Sequence, residues 1–328
     1  MKRILFFAAA LAATVACNKD LPVQQENQTL PQEDAKRHEL TVKVAGHNLA
    51  TKATTITGEA TVNDLQVFVF RKGKDELDAY GNVKSATQLS ISCTTGEKDV
   101  IAIVNAPDMK DVATKSALLA KVSQLSNNSL TNFEMIGSTT ATVPAESGIT
   151  IAVDRLAARV VIKKITRDFT SPALQAVDFT IDAIYLVNAA GDLNFGKDGA
   201  PSKWYNTAKN KSELATLLVD TPAAAVANKE SHATAHYFYA YPNLNSTEDE
   251  IVDTRLVVET TLDGRKYFYP INMPKMDSNK SYEINELKIT RPGSDDPDKP
   301  IVIVDQDFKI TVNDWTVELV NGDGNVIL

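Results

Sequence analysis

The chain has 328 residues, 43% of them hydrophobic and 23% charged, an ordinary folded composition too long for one small core, so two domains are expected. Its formal net charge of -8, with no cluster of lysine or arginine, excludes nucleic-acid binding, because a phosphate backbone needs a concentrated basic face.

Lys2 and Arg3 precede an apolar run from Ile4 to Ala16, the charge-then-apolar order of a secretory signal and too short for a membrane-spanning helix. In Thr14-Val15-Ala16-Cys17 a small residue stands directly before cysteine, the pattern cut by lipoprotein signal peptidase once a diacylglycerol is on the thiol. Cys17 is then the lipidated mature N-terminus, although Thr14 departs from the usual leucine and ordinary cleavage with an incidental cysteine is the alternative. The polar stretch from Asn18 to Lys36 has the composition of a tether. Cys93 is left as a single thiol, so no intramolecular disulfide forms, and its strand-like setting reads as a small buried apolar residue.

From Glu39, residues Leu40, Val42 and Val44 alternate with Thr41, Lys43 and Ala45, predicting a half-buried first strand. Asn48 to Thr55 is small, threonine-rich and carries one basic residue, Lys52, a good protease substrate. Leu65–Phe70 and Val100–Val104 are apolar at successive positions and predict strands covered on both faces. Val112, Leu118, Leu119, Val122 and Leu125 recur at helical spacing after Pro107-Asp108, predicting a helix with Asp108 at its first turn.

Strand patterns resume at Ile149–Val153, Val160–Ile165, Val177–Val187 and His236–Tyr241. Arg255–Leu262 and Arg265–Tyr269 flank Asp263-Gly264, the strongest hairpin signal in the chain. Tyr282–Thr290 changes phase between Ile284 and Leu287, which predicts a bulge. Arg291–Pro300 breaks the pattern with three prolines. Phe308, Ile310 and Val312 then alternate up to a turn at Asn313-Asp314-Trp315, followed by a hairpin pattern from Trp315 to Leu328. Many short strands with one or two helices predict an all-β protein of two β-sandwiches, divided near Asp154.

Catalytic constellations are lacking: there is no His-Glu-x-x-His, no Gly-x-Ser-x-Gly and no glycine-rich phosphate loop. No catalytic residue, cofactor or metal site is therefore expected. His232 and His236 are four apart, but on the strand predicted there they are separated by about 13 Å, which argues against zinc. Asp295-Asp296-Pro297-Asp298 and Asn321-Gly322-Asp323-Gly324-Asn325 lack the closing glutamate of a calcium loop and read as turns.

Several segments together resemble the FimA-type fimbrillin family of type V pilus subunits. They are Ala16-Cys17-Asn18-Lys19-Asp20, Val62-Asn63-Asp64-Leu65-Gln66-Val67-Phe68-Val69-Phe70, Cys93-Thr94-Thr95-Gly96 leading to Val104-Asn105-Ala106-Pro107, Leu156-Ala157-Ala158-Arg159-Val160, Phe238-Tyr239-Ala240-Tyr241-Pro242-Asn243, Tyr269-Pro270-Ile271, Arg291-Pro292-Gly293-Ser294-Asp295-Asp296-Pro297 and Val312-Asn313-Asp314-Trp315. The resemblance implies two transthyretin-like β-sandwich domains, export as a lipoprotein to the outer membrane, and a non-enzymatic role in a cell-surface fimbrium. It further implies that a trypsin-like protease removes the lipidated N-terminus with the first strand, here Leu40, Val42 and Val44. The cut maps after Lys52, leaving Ala53 first; Arg37 is the runner-up, and the family's preferred arginine is replaced by lysine. The implied organisation is 1–17 signal peptide, 18–52 propeptide with tether and first strand, 53–154 N-terminal domain and 155–328 C-terminal domain, with a donor strand at about 313–328. The implied partners are copies of itself or homologous pilus subunits, the maturation protease, and the membrane through the lipid.

A sandwich deprived of an interior strand exposes unpaired backbone groups above an apolar trench, and strand addition satisfies both. Trp315, Val317, Leu319, Val326 and Leu328 are the candidate donor side chains; burying five such groups contributes roughly 8 to 15 kcal/mol before ordering costs. Three alternatives stay open: Trp315–Leu328 completing its own domain, an anchor or tip accessory subunit of the same family, and a surface glycan-binding lipoprotein.

Overall fold

The computed structural model describes residues 36–46, 56–207, 214–243, 253–299, 309–315 and, for the backbone, 320–321. Strand β1 (Arg37–Gly46) keeps the expected period of two, with Leu40, Val42 and Val44 buried. After the short β2 (Thr61–Val62), β3 (Asp64–Arg71) is buried at every position but the last, as a strand covered on both faces must be. β4 (Leu77–Lys84), β5 (Gln88–Thr94) and β6 (Gly96–Val104) follow.

The predicted helix is shorter than its apolar spacing suggests. Helix α1 is only Lys115–Ala120, and its N-cap is Thr114, whose hydroxyl accepts from Ala117 N at 3.2 Å. Asp108 instead holds a local turn, accepting from Lys110 N at 3.0 Å. Val122–Gln124 leaves the helix as β7, because pairing with a strand of the second half satisfies its backbone better than one more helical turn.

With β8 (Met135–Val143) and β9 (Ile149–Arg155), the first half forms a seven-stranded sheet in the order β4-β3-β6-β8-β9-β1-β5. Strands β8 and β9 pair only at Met135↔Arg155 and Ile136↔Asp154, and there the sheet folds over into a layer of four strands and a layer of three. The far edges meet again: Asp78 on β4 accepts from Thr94 N at 2.9 Å and pairs with Lys98 Nζ at 3.0 Å. Gly81 on β4 lies under β5, where a Cβ would sit 3.1 Å from Leu89 Cδ1. The result is a sandwich that covers its own edges.

The second half begins with β10 (Ala158–Ile162) and β11 (Ile165–Arg167), then the one-turn α2 (Pro172–Gln175) and the long β12 (Phe179–Val187). Short pieces follow: β13 (Ala189–Ala190), β14 (Asp192–Asn194), β15 (Trp204–Tyr205), β16 (Val219–Asp220), β17 (Ala224–Ala225) and β18 (Ser231–His232). The remaining strands are β19 (His236–Ala240), β20 (Arg255–Leu262), β21 (Arg265–Asn272), β22 (Lys280–Ile284), β23 (Leu287–Ile289), β24 (Ile310–Asp314) and β25 (Val320–Asn321).

They assemble as β19-β10-β22-β24, β18-β11-β23 and β16-β12-β20-β21, with β17 also on β12 and β7 on β14. The first two sheets are one ribbon interrupted at Lys163-Lys164 and Asn285-Glu286, where Lys163 N donates to Ile284 O and Leu287 N to Lys164 O, both at 2.9 Å. The predicted phase change is this interruption. In the β20–β21 hairpin, Asp263 and Gly264 have φ of 49° and 74°, the two positive values that its turn demands.

The turn expected at Asn313-Asp314 is absent: both residues lie in β24, which pairs antiparallel with β22, Tyr282 facing Val312. The protein is all-β with two short helices among the described residues. One apolar core runs through both halves, from Leu40 and Phe68 to Phe238 and Ile284.

Candidate functional site: the first strand and the Trp315 junction

β1 lies between two partners. Its first part pairs antiparallel with β5, from Arg37↔Thr94 to Lys43↔Gln88, and its last part pairs parallel with β9, from Val42↔Ile149 to Gly46↔Val153. Outside the ladder, Arg37 Nη2 donates to Ser92 O at 2.7 Å and Thr41 Oγ1 lies 2.9 Å from Ser90 Oγ. Gly148, at φ +71°, fits closely against the strand, since a Cβ there would stand 2.7 Å from Thr41 O. Leu40, Val42 and Val44 are at most 1% exposed, and their burial contributes roughly 5 to 9 kcal/mol in gross terms. Without β1, β5 and β9 each lose a backbone partner and the core between the two layers is opened.

The second element of the site is a buried polar junction between the halves. Glu59 is 1% exposed; its carboxylate accepts from Arg159 Nη1 at 3.0 and 2.8 Å, from the Tyr239 hydroxyl at 2.9 Å and from Trp315 Nε1 at 3.1 Å. Its backbone oxygen accepts from Arg155 Nε at 3.1 Å and Nη2 at 2.9 Å, while Arg155 Nη1 donates to Trp315 O at 3.0 Å. Arg159 continues to Ser281 Oγ at 3.0 Å and to Glu283 at 3.4 Å. The Arg155 guanidinium lies 4.2 Å from the centre of the Trp315 ring, and the Tyr239 ring stacks on the Trp315 ring with centroids 5.5 Å apart.

Each charge in this junction has a compensating partner, as buried charges require. Burial pushes Arg155 down to about 9, opposed by the charge of Glu59, so it remains a cation at neutral pH. Burial first, then the Glu59 charge, pushes the Tyr239 hydroxyl up, which keeps it a donor. The arrangement binds two segments together; it has no nucleophile paired with a base.

Trp315 therefore sits in the chain's own interior, 1% exposed. Val317, Leu319, Val326 and Leu328 lie outside the described residues, as do Cys17, Lys52 and Ala53. The backbone of Val320–Asn321 pairs parallel with Thr61–Val62, just after Glu59. Sequence reasoning missed Glu59, Arg155 and Arg159. The available signal was a pair of arginines four apart flanking the apolar Leu156-Ala157-Ala158, since a charge within an apolar strand implies a buried partner.

Two histidines also occupy positions different from those expected. A break in the strand at residues 233–235, between β18 and β19, goes with His232 Nε2 lying 2.9 Å from His236 Nε2, where one continuous strand would have kept them far apart. Cys93 is fully buried, and burial first of all pushes its thiol up, consistent with an inert apolar role.

Among the described residues the first half is a folded-over β-sandwich whose first strand lies between β5 and β9, with Trp315 held against Glu59. Residues 39–160 match the family model of the major fimbrial subunit protein FimA, in agreement with the resemblance read in the sequence. The fold is shared with a candidate cell adhesion protein from Bacteroides eggerthii, with 21% identity, a TM-score of 0.70 and coverage of 88% of this chain and 98% of that one. Fimbrilin from Porphyromonas gingivalis is similar at 17% identity and a TM-score of 0.63, over 86% of this chain and 98% of that one. The tip fimbrial protein Mfa3 of the same organism, with a C-terminal truncation, is similar at 14% identity and a TM-score of 0.52, over 85% and 100%. No curated protein matches the chain in sequence.

Proposed function

We propose that the chain is a structural subunit of a cell-surface fimbrium, a pilin that carries no catalytic chemistry and joins neighbouring subunits by strand exchange. In this reading it is exported as an outer-membrane lipoprotein through Cys17, and a trypsin-like protease cuts after Lys52, so that β1 leaves with the propeptide. A strand from the next subunit then enters between β5 and β9. Two sandwich domains, 53–154 and 155–328, remain in the fibre.

The observation that carries this is the position of β1: an interior strand, paired on both sides, yet contributed by a segment ahead of a protease-sensitive stretch. Its loss leaves a gap that only another strand fills well. The donor is the segment beyond Trp315, with Val317, Leu319, Val326 and Leu328 filling the trench. Trp315 itself, first expected among the donor side chains, is kept as the root, because pulling it out would strip Glu59 and Arg155 of buried partners.

The test is to express the chain without residues 1–17, treat it briefly with trypsin, read the new N-terminus by mass spectrometry and follow assembly on an unboiled denaturing gel. The expected result is a cut after Lys52 and a ladder of oligomers that a chain lacking 316–328 does not form. A resistant monomer that retains residues 39–49 would overturn the reading.

A further inference from the structure

Away from the junction, three strands that each end a sheet, β16, β18 and β19, meet and bring Asp220, His232 and His236 together. Asp220 Oδ2 is 2.6 Å from His236 Nδ1, and His236 Nε2 is 2.9 Å from His232 Nε2. The ring planes are 25° from parallel with centroids 5.1 Å apart, so the two rings meet edge to edge through their Nε2 atoms. His236 is held in the protein, with its side chain 3% exposed, while Asp220 is 54% exposed and His232 is half-buried.

The hydrogen bonds fix the chemistry of His236. A carboxylate only accepts, so His236 Nδ1 carries the proton and donates to Asp220, and neutral His236 presents a lone pair at Nε2. That lone pair points at His232 Nε2. At this distance the His232 Nε2–H donates to that lone pair; moving the His232 proton to Nδ1 frees a second lone pair, and an ion can take the proton's place between the two nitrogens. Carboxylate to imidazole to metal is the arrangement that orients histidine ligands in metalloproteins.

We propose that His232 and His236 form a two-imidazole site for a divalent transition-metal ion of the zinc, nickel or copper type, with Asp220 as the positioning residue behind His236. Metal to nitrogen bonds of about 2.0–2.1 Å at a tetrahedral centre separate the two nitrogens by about 3.3 Å. Starting from 2.9 Å, a small rotation of the less buried His232 ring suffices. Imidazole selects these ions over calcium and magnesium, which take oxygen ligands. Among the described residues no third His, Cys, Asp or Glu side chain is placed to bind the same ion, Asp220 being engaged behind His236, so water completes the coordination on the exposed side. A bound ion staples β18 to β19 at the sheet edge.

Cobalt(II) and zinc(II) titration of the purified full-length chain tests this, followed by visible absorption for cobalt and by melting temperature for zinc. The expected result is one saturable ion per chain, a higher melting temperature with zinc but not with calcium or magnesium, and loss of both effects in His232→Ala and His236→Ala. Asp220→Asn should bind about tenfold more weakly, since it removes only the orienting carboxylate. His232 is partly exposed, so His232→Ala is the informative variant if His236→Ala fails to fold. Equal binding by the native chain and His232→Ala, or no saturable binding by the native chain, would overturn the site and leave the pair as a hydrogen bond between two imidazoles.

Discussion

Glu134 is fully buried at the end of the loop that precedes β8 and accepts from Asn127 Nδ2 at 3.0 Å. Burial pushes its carboxyl above the usual range, against the smaller opposing effects of Ser123 and Asn127. A group whose folded pKa is raised holds its proton more tightly in the native state, so its contribution to stability is full at low pH and is lost as pH rises through the folded value. Glu134→Gln removes that penalty while retaining an acceptor for Asn127. The variant should be more stable than the native chain at pH 7 in urea denaturation, and the advantage should vanish below the ordinary carboxyl value of 4.5. A loss of stability at pH 7 would mean that the ionised carboxylate is worth more to its neighbours than its burial costs.

At the scale of elements, β1 separates what pattern reveals from what only packing decides. Its alternation was legible because one face meets the core and the other does not, and the Asp263-Gly264 hairpin was legible because turn chemistry is local. The extent of α1 was not, since β7 is taken from the helical pattern by a partner far away in sequence. Nor was the meeting of His232 with His236, which depends on a strand break at residues 233–235 that carries no glycine or proline to announce it. The same contrast predicts how β1 responds to substitution. Leu40→Ala should cost the uncleaved chain about 2 to 5 kcal/mol, the usual range for emptying a buried leucine site. Glu39→Ala, on the exposed face, should stay within about 0.5 kcal/mol of the native chain. Equilibrium urea unfolding of the two variants distinguishes them, and equal effects would show that β1 is not seated in the core.

For the whole molecule the decisive feature is that Glu59, just past the proposed cut, holds groups contributed by the second half. Arg159, Tyr239 and Trp315 all converge on its carboxylate, and the core is continuous across the halves. Removal of β1 would therefore leave the link between the halves in place, so a subunit could lose a strand without its two sheet systems separating. Nothing in the periodicity of the sequence announced this, because the junction is made of single residues, each ordinary in its own segment. The coupling has a thermodynamic signature: the native chain should melt in one transition with matching calorimetric and van't Hoff enthalpies. Glu59→Ala takes the carboxylate from the buried Arg159 guanidinium and leaves the Tyr239 hydroxyl and Trp315 Nε1 without their acceptor, a loss of about 3 to 5 kcal/mol when one member of such a pair is removed. Because that loss falls between the halves and not within either sheet, differential scanning calorimetry should show the single transition broadening into two. A single transition at an unchanged temperature would mean that the shared apolar core alone couples the halves, and that the root of the C-terminal segment is held by Trp315 packing without its charged partners.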